Sequence, residues 1–223
     1  MFFYFRMKGL FISFEGTEGC GKSTQVKLLS ERLTTLGHRV RTHREPGGTP
    51  IGEEIRHTLK HSKNNAAMTS ETELLLMNAS RAQLVREIIR PALAAGEIVV
   101  CDRFYDSTTA YQGYGRQLEL AKVKAIIDFA VGETKPDLTL FVHVPPEVSA
   151  ERLRSRQGTL PFVRDRIEEA DRNFFERVAH GFEVIAAAEP QRVKIINGAQ
   201  PVETVCAAIW EQVHPLLPKI GRW

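Results

Sequence analysis

Cysteine is scarce in this chain of 223 residues: Cys20, Cys101 and Cys206 lie far apart, with no Cys-x-x-Cys pair. That spacing argues against a disulfide framework or a zinc site and suits a reducing compartment, so a cytoplasmic protein is expected. No apolar run approaches the ~18 residues of a membrane span, and no membrane partner is expected. The start, Met1-Phe2-Phe3-Tyr4-Phe5-Arg6, is apolar but too short for a signal peptide and runs straight into the first strand. Residues 1–7 are read as a flexible N-terminal extension, with Met7 as an alternative start. An excess of one charge is also missing: 30 Lys+Arg against 27 Asp+Glu leave +3, which gives no argument for nucleic acid. No Pro/Ser/Gly-rich linker, repeat or low-complexity stretch divides the chain, so 1–223 reads as one domain, long enough to bury a substantial core.

What is present is an anion site. Residues 16–23 read Gly-Thr-Glu-Gly-Cys-Gly-Lys-Ser, the Gly-x₄-Gly-Lys-[Ser/Thr] phosphate loop. Such a loop wraps backbone N–H groups around phosphate oxygens, and its glycines admit an approach that a Cβ would block. Lys22 reaches the β- and γ-phosphates and the Ser23 hydroxyl ligates Mg²⁺. The apolar run 10–14 before it reads as a buried strand. After it, Val26, Leu29 and Leu33 share one helical face. Strand, glycine turn and helix set a helix N-terminus against a phosphate, so Gly16, Thr17, Glu18, Gly19, Cys20, Gly21, Lys22, Ser23 and Thr24 are the candidate ATP-binding residues. Cys20 is either a small filler or a mildly acidified thiol.

Short apolar runs alternate with helical segments along the rest of the chain. Strands are expected near 10–14, 39–44, 98–101, 138–144 and 193–196. Helices are expected near 22–36, 52–60, 70–90, 119–131, 146–155, 168–187 and 202–217, the 70–90 helix ending at Pro91 or at Gly96. Strands apolar throughout and separated by helices imply an α/β, three-layer fold: a parallel five-stranded sheet flanked by helices. Ligands then sit beyond the carboxyl ends of the strands, which selects segments 15–23, 44–52 and 102–115. In the last, Asp102 follows a strand, where it can join the Mg²⁺ shell, and Arg103 offers a planar fork for a phosphate. In the second, Arg44-Glu45-Pro46-Gly47-Gly48-Thr49 reads as a substrate-facing loop; a cis Pro46 is not supported by residue type alone, since only ~5% of X-Pro bonds are cis. On residue grounds Met77 reads as core and Arg56 and Arg81 as solvated, with Met77 and Arg81 sharing a face. Five arginines between 152 and 166 (152, 154, 156, 164, 166) bracket a loop-like stretch, Gln157–Val163. In a phosphoryl-transfer protein this reads as an Arg-rich lid, about 152–167, that excludes water and places an Arg on the transferring group.

Together these segments resemble thymidylate kinase of the bacterial type, over nearly the whole chain from about Lys8 to Leu217. The resemblance rests on 14–23, Arg44–Thr49, Ser80-Arg81-Ala82-Gln83, Asp102-Arg103-Phe104, Ala110-Tyr111-Gln112-Gly113 and Asp165-Arg166-Ile167-Glu168. It implies a P-loop kinase that phosphorylates dTMP with ATP and Mg²⁺ and forms homodimers. Lys22 and Ser23 would bind ATP and Mg²⁺, with Asp102 near the metal, and Glu18 would contact the 3′-hydroxyl region of the acceptor. Arg103 would hold the acceptor phosphate, Arg81, Thr108 and Gln112 would read the base, and Arg56 and Pro46 would line the same pocket. Arg156, Arg164 and Arg166 are the candidates for the lid arginine. The chain departs from the family in carrying Met77 where a Phe usually stacks on the thymine, and in a longer lid, which leaves the lid arginine open among the three. Two other readings are a deoxynucleoside kinase, with Glu45 as base, and a nucleotide-dependent regulatory module; no Asn-Lys-x-Asp guanine signature accompanies the phosphate loop.

Overall fold

A computed structural model describes residues 9–157 and 171–218. Its centre is one parallel sheet of β1 (Leu10–Glu15), β2 (Val40–Arg44), β3 (Ile98–Asp102), β4 (Leu138–His143) and β5 (Val193–Asn197), in the order β2-β3-β1-β4-β5. Leu10 pairs with Ile98 and Ile12 with Leu138 across the central strands. The expected strands are all present. The edge strands differ from the expected apolar pattern: β2 reads VRTHR and β5 VKIIN, each with exposed positions, because an edge strand meets solvent where a central one meets a neighbour.

The period-two alternation of the strands divides the core. Leu10, Ile12 and Phe14 of β1, Ile98 and Val100 of β3, and Leu138 and Leu140 of β4 pack on α1 (Lys22–Thr35) and α9 (Val202–Val213). On the other face Phe11, Val99 and Cys101 pack on α3 (Ser70–Leu84) and α6 (Leu120–Val131), and Phe141 on α8 (Arg172–Ala188). The same alternation sends Asp102 to the α1 side and Glu15 to the α3/α8 side of the sheet. The remaining α-helices are α2 (Pro50–Lys60), α4 (Arg90–Ala94), α5 (Tyr105–Thr108) and α7 (Pro146–Gln157). Side-chain caps start several helices: Thr49 accepts from Gly52 N, Thr69 from Thr72 N and Asp171 from Phe174 N.

Three expectations needed correction. The 70–90 helix is not uniform: α3 ends at Leu84, a π turn spans Val85–Ile89, and α4 carries the chain past Pro91 to Ala94, before Gly96. Pro91 ends nothing because it occupies the first turn of α4, where its missing N–H costs little. The segment after β3, for which no helix is expected, is one turn of α5 followed by a π-helix over Thr109–Gly115. The last helix stops at Val213 and continues as a 3₁₀ turn, His214–Leu216. Of the helix expected near 168–187, residues 168–170 lie outside the described residues, as do the N-terminal extension and most of the lid.

Gly115 shows how tightly the π-helix is pressed onto α8: a Cβ there would stand 2.6 Å from Phe174 Cε2 and 2.8 Å from Val178 Cγ2. Gly115→Ala should therefore destabilise the fold by about 1–3 kcal/mol, as overpacking does. Urea unfolding checks this; an unchanged midpoint would mean that this face repacks freely.

Candidate active site

The phosphate loop leaves β1 at Glu15 and enters α1 at Lys22. Gly16, Gly19 and Gly21 have φ of 140°, 74° and 99°, and a Cβ on Gly16 would meet Val142 O at 2.5 Å. Only glycine fits this path. Gly21 caps α1 without any side-chain hydrogen bond, so the first amides of the helix are left for an anion. Lys22 Nζ folds back on Gly16 O at 2.9 Å and Thr17 O at 2.8 Å. Cys20 is the filler: it is buried in the α1 core cluster, with Lys22 Nζ 3.4 Å from its Sγ. Ser23 and Thr24 are exposed at the head of α1.

Ser23 Oγ donates to Asp102 Oδ2 at 2.7 Å. A hydroxyl and a carboxylate converge beside the loop, hard oxygen donors of the kind Mg²⁺ takes when phosphates complete its shell. These residues fit the metal the motif implies.

The second anion site lies across the loop. Arg103 has a left-handed φ of 73°, uncommon for a residue with a side chain. Its Nη2 donates to Glu18 Oε1 at 2.7 Å and to Tyr111 OH at 3.2 Å, and Tyr111 OH donates to Glu18 Oε2 at 2.8 Å. Arg103 does not pair with Asp102 as a strand-end cap; it faces the phosphate loop, and Glu18 holds it there. Behind it, Glu15 is fully buried and accepts from Phe104 N at 2.7 Å and Ser107 Oγ at 2.5 Å. Burial, then the nearby Asp106 carboxylate, push Glu15 well above the ordinary carboxylate range, against the pull of Ser107, Arg103 and Phe104 N.

The third group surrounds Arg81. Sequence alone suggested a solvated arginine; it is 2% exposed. Its Nε donates to Glu45 Oε2 at 2.7 Å, Nη1 to Asn78 Oδ1 and Thr108 Oγ1, and Nη2 to Phe104 O. Arg44 and Glu45, adjacent in sequence, diverge. Arg44 forms a bidentate pair with Glu53 of α2, whereas Glu45 turns into the core ahead of a cis peptide bond to Pro46. Arg56 donates to Pro46 O at 2.8 Å. Gln112 donates to Glu73 Oε1, which Arg116 also holds, and Met77 is half-buried on α3. Thus Arg81 ties Glu45, Asn78, Phe104 and Thr108 together, Arg56 holds the Pro46 carbonyl, and Gln112 and Arg116 meet on Glu73.

Sequence reasoning missed the carboxylates and braces that position these residues: Glu15 and Glu73, whose partners Phe104, Ser107, Gln112 and Arg116 are distant in sequence, Ser107 and Tyr111, and Asn78, which meets Arg81 within α3. It also misread Arg152. Grouped with the lid, Arg152 braces the loop instead, donating to Cys20 O at 3.3 Å and Gly198 O at 3.0 Å, while Ser149 Oγ donates to Glu18 O. Arg156 belongs to the last turn of α7; Arg164 and Arg166 lie outside the described residues.

Glu45 Oε1 is buried without a partner, and burial raises the carboxyl from its ordinary 4.5 to about 7 although Arg81 pulls the other way. The folded state thus keeps a proton that the unfolded chain has lost, so this group's contribution to stability falls as pH rises from about 4.5 to 7. The stability of the wild type minus that of Glu45→Gln should shrink between pH 5 and pH 8 in thermal unfolding; a constant difference would contradict the raised value.

Comparison with known proteins agrees with this geometry. The family model described as thymidylate kinase matches residues 14–209. The chain is 46% identical over 209 residues to a thymidylate kinase of Synechococcus sp. (strain JA-2-3B'a(2-13)), covering 94% of this chain and 96% of that one. It is also 46% identical over 214 residues to that of Pseudomonas fluorescens, with 96% and 97% covered. The crystal structure of thymidylate kinase from Ehrlichia chaffeensis superposes with a TM-score of 0.74 at 32% identity, over 93% of this chain and 99% of that one. With the motif, the sheet order and the family match all in agreement, this chain belongs to the thymidylate kinase family.

Proposed function

We propose that the protein transfers the γ-phosphoryl group of ATP to dTMP, giving dTDP for dTTP synthesis. The observation that carries this reading is Arg103 facing the phosphate loop, 2.7 Å from Glu18: a second anion site set opposite the first. Lys22 and the amides of Gly16–Thr24 bind the donor phosphates. Ser23 and Asp102 would hold Mg²⁺, which would supply charge neutralisation on the phosphate oxygens. Arg103 holds the acceptor phosphate and Glu18 meets the 3′-hydroxyl. Pro46, Arg56, Met77, Arg81, Thr108 and Gln112 surround the base. Arg156, Arg164 and Arg166 are the lid candidates that bring further positive charge.

The acceptor's second pKa of ~6 leaves its oxygen ionised at neutral pH, so no general base is required. The work is to hold two polyanions in line and to offset their repulsion. Glu45, which a deoxynucleoside kinase would use as base, is buried and bound to Arg81, which favours the monophosphate reading. The same reading makes the protein a cytoplasmic homodimer. Leu75 and Phe129, 56% and 82% exposed on the adjoining helices α3 and α6, provide apolar surface for a second copy.

Incubation with Mg-ATP and either dTMP or thymidine tests the reading; phosphorylation of thymidine alone would replace it with a deoxynucleoside kinase, and ATP turnover without any acceptor with a regulatory module. Lys22→Ala should abolish turnover in a folded protein. Arg103→Ala should raise the KM for dTMP by roughly tenfold or more, the scale of a lost charge-assisted contact, with the KM for ATP nearly unchanged; the reverse pattern would reassign Arg103 to the donor.

A further inference from the structure

Arg103 is held from two sides. Glu18 grips Nη2 from the front. From behind, Nη1 donates to Ser107 Oγ at 3.0 Å, and Ser107 Oγ donates on to Glu15 Oε2 at 2.5 Å. The other oxygen of Glu15 accepts from Phe104 N at 2.7 Å, the peptide next to Arg103, and Arg103 N donates to Phe14 O at 2.9 Å. Two contacts with the end of β1 thus pin the backbone on both sides of the left-handed Arg103, and one relay from the same carboxyl orients its guanidinium. Glu15 is also the residue directly before Gly16, so its backbone carries the phosphate loop while its side chain carries the acceptor arginine.

We infer that Glu15 and Ser107 are positioning residues for the transfer: through the relay Arg103–Ser107–Glu15 they set the acceptor phosphate in register with the donor loop. A buried carboxylate with no relay to serve would be an expensive way to start the four-residue helix α5. Asp106, the other carboxylate facing Glu15, does not touch Arg103; Arg192 and Thr139 occupy its oxygens. Of the two charged groups that act on Glu15, Asp106 and Arg103, it is Arg103 that faces the phosphate loop. The relay also explains why Ser107 is buried at a helix start beside a charged pocket: its hydroxyl accepts from the cation and donates to the carboxyl at once.

The inference rests on the dTMP kinase reading and adds to it a role for two residues outside the phosphate loop and the base pocket. Ser107→Ala cuts the relay while leaving Glu15 to accept from Phe104 N; Glu15→Gln keeps the shape but cannot accept from both donors. Steady-state kinetics are measured with dTMP and ATP varied separately, after thermal unfolding confirms that each variant is folded. Both variants should lose roughly 10- to 100-fold in kcat/KM for dTMP, the factor of a lost hydrogen bond to a charged group, with the KM for ATP within about twofold. If Glu15→Gln fails to fold, Ser107→Ala decides alone. Wild-type kinetics in a folded Ser107→Ala, or a loss that falls equally on ATP and dTMP, would overturn the relay. A wild type inactive on dTMP in the same assay would remove the kinase reading and the relay with it, so the two failures are distinguishable.

Discussion

The site depends on arginines held in place by carboxylates. Three arginines are each tied to a carboxylate from another part of the chain: Arg103 to Glu18, Arg81 to Glu45, Arg116 to Glu73. Burying such pairs is a poor route to stability, because desolvation offsets the Coulomb attraction. Removing one partner is a different matter, costing ~3–5 kcal/mol by stranding a buried charge. The pairs therefore make sense as positioning devices: long, flexible guanidinium stems are held in one geometry, so that the entropy of ordering them does not have to be supplied by substrate.

The sheet supplies the frame for those pairs. β1 ends between β3 and β4, so the phosphate loop, the segment after β3 and α7 meet over one edge of the sheet. Alternation along β1 and β3 then separates the roles. Asp102 falls on the α1 face, where Ser23 stands at the helix start, and Glu15 falls on the opposite face, under α5. One strand end thus holds the donor loop by its backbone and the acceptor segment by its side chain.

Much of this was legible in the residues. The phosphate loop, the order of strands and helices and the Asp102-Arg103 pair follow from local patterns. What was not legible is long-range. Nothing near Glu15 announces that Ser107 will reach it, and nothing near Glu73 announces Gln112 and Arg116. Arg81 looked solvated because, apart from Asn78 on its own helix, its partners Glu45, Phe104 and Thr108 come from distant segments after β2 and around α5. The π-helix at Thr109–Gly115 was hidden for a related reason: its two glycines answer to close approaches from elsewhere, Leu120 against Gly113 and Phe174 against Gly115. Arg152 was grouped with the lid by composition, whereas its position on α7 turns it toward the carbonyls of Cys20 and Gly198.

The Arg103–Glu18 pair also bears on which acceptor the site accepts. The guanidinium is paired with the Glu18 carboxylate, so under the proposed function the acceptor phosphate must compete with that carboxylate for it. A phosphate monoester brings close to two negative charges and several acceptor oxygens, so it can take over the Nη donors and leave Glu18 free for a hydroxyl on the sugar. A nucleoside brings a neutral hydroxyl in that place, which accepts a weaker hydrogen bond than a carboxylate does and cannot displace Glu18. Tyr111 sharpens the contrast, since its hydroxyl bridges Arg103 and Glu18 and must be repaid when they part. Under the proposed function, selectivity for a phosphorylated acceptor rests on this pair, because a dianion offers Arg103 more than the Glu18 carboxylate does.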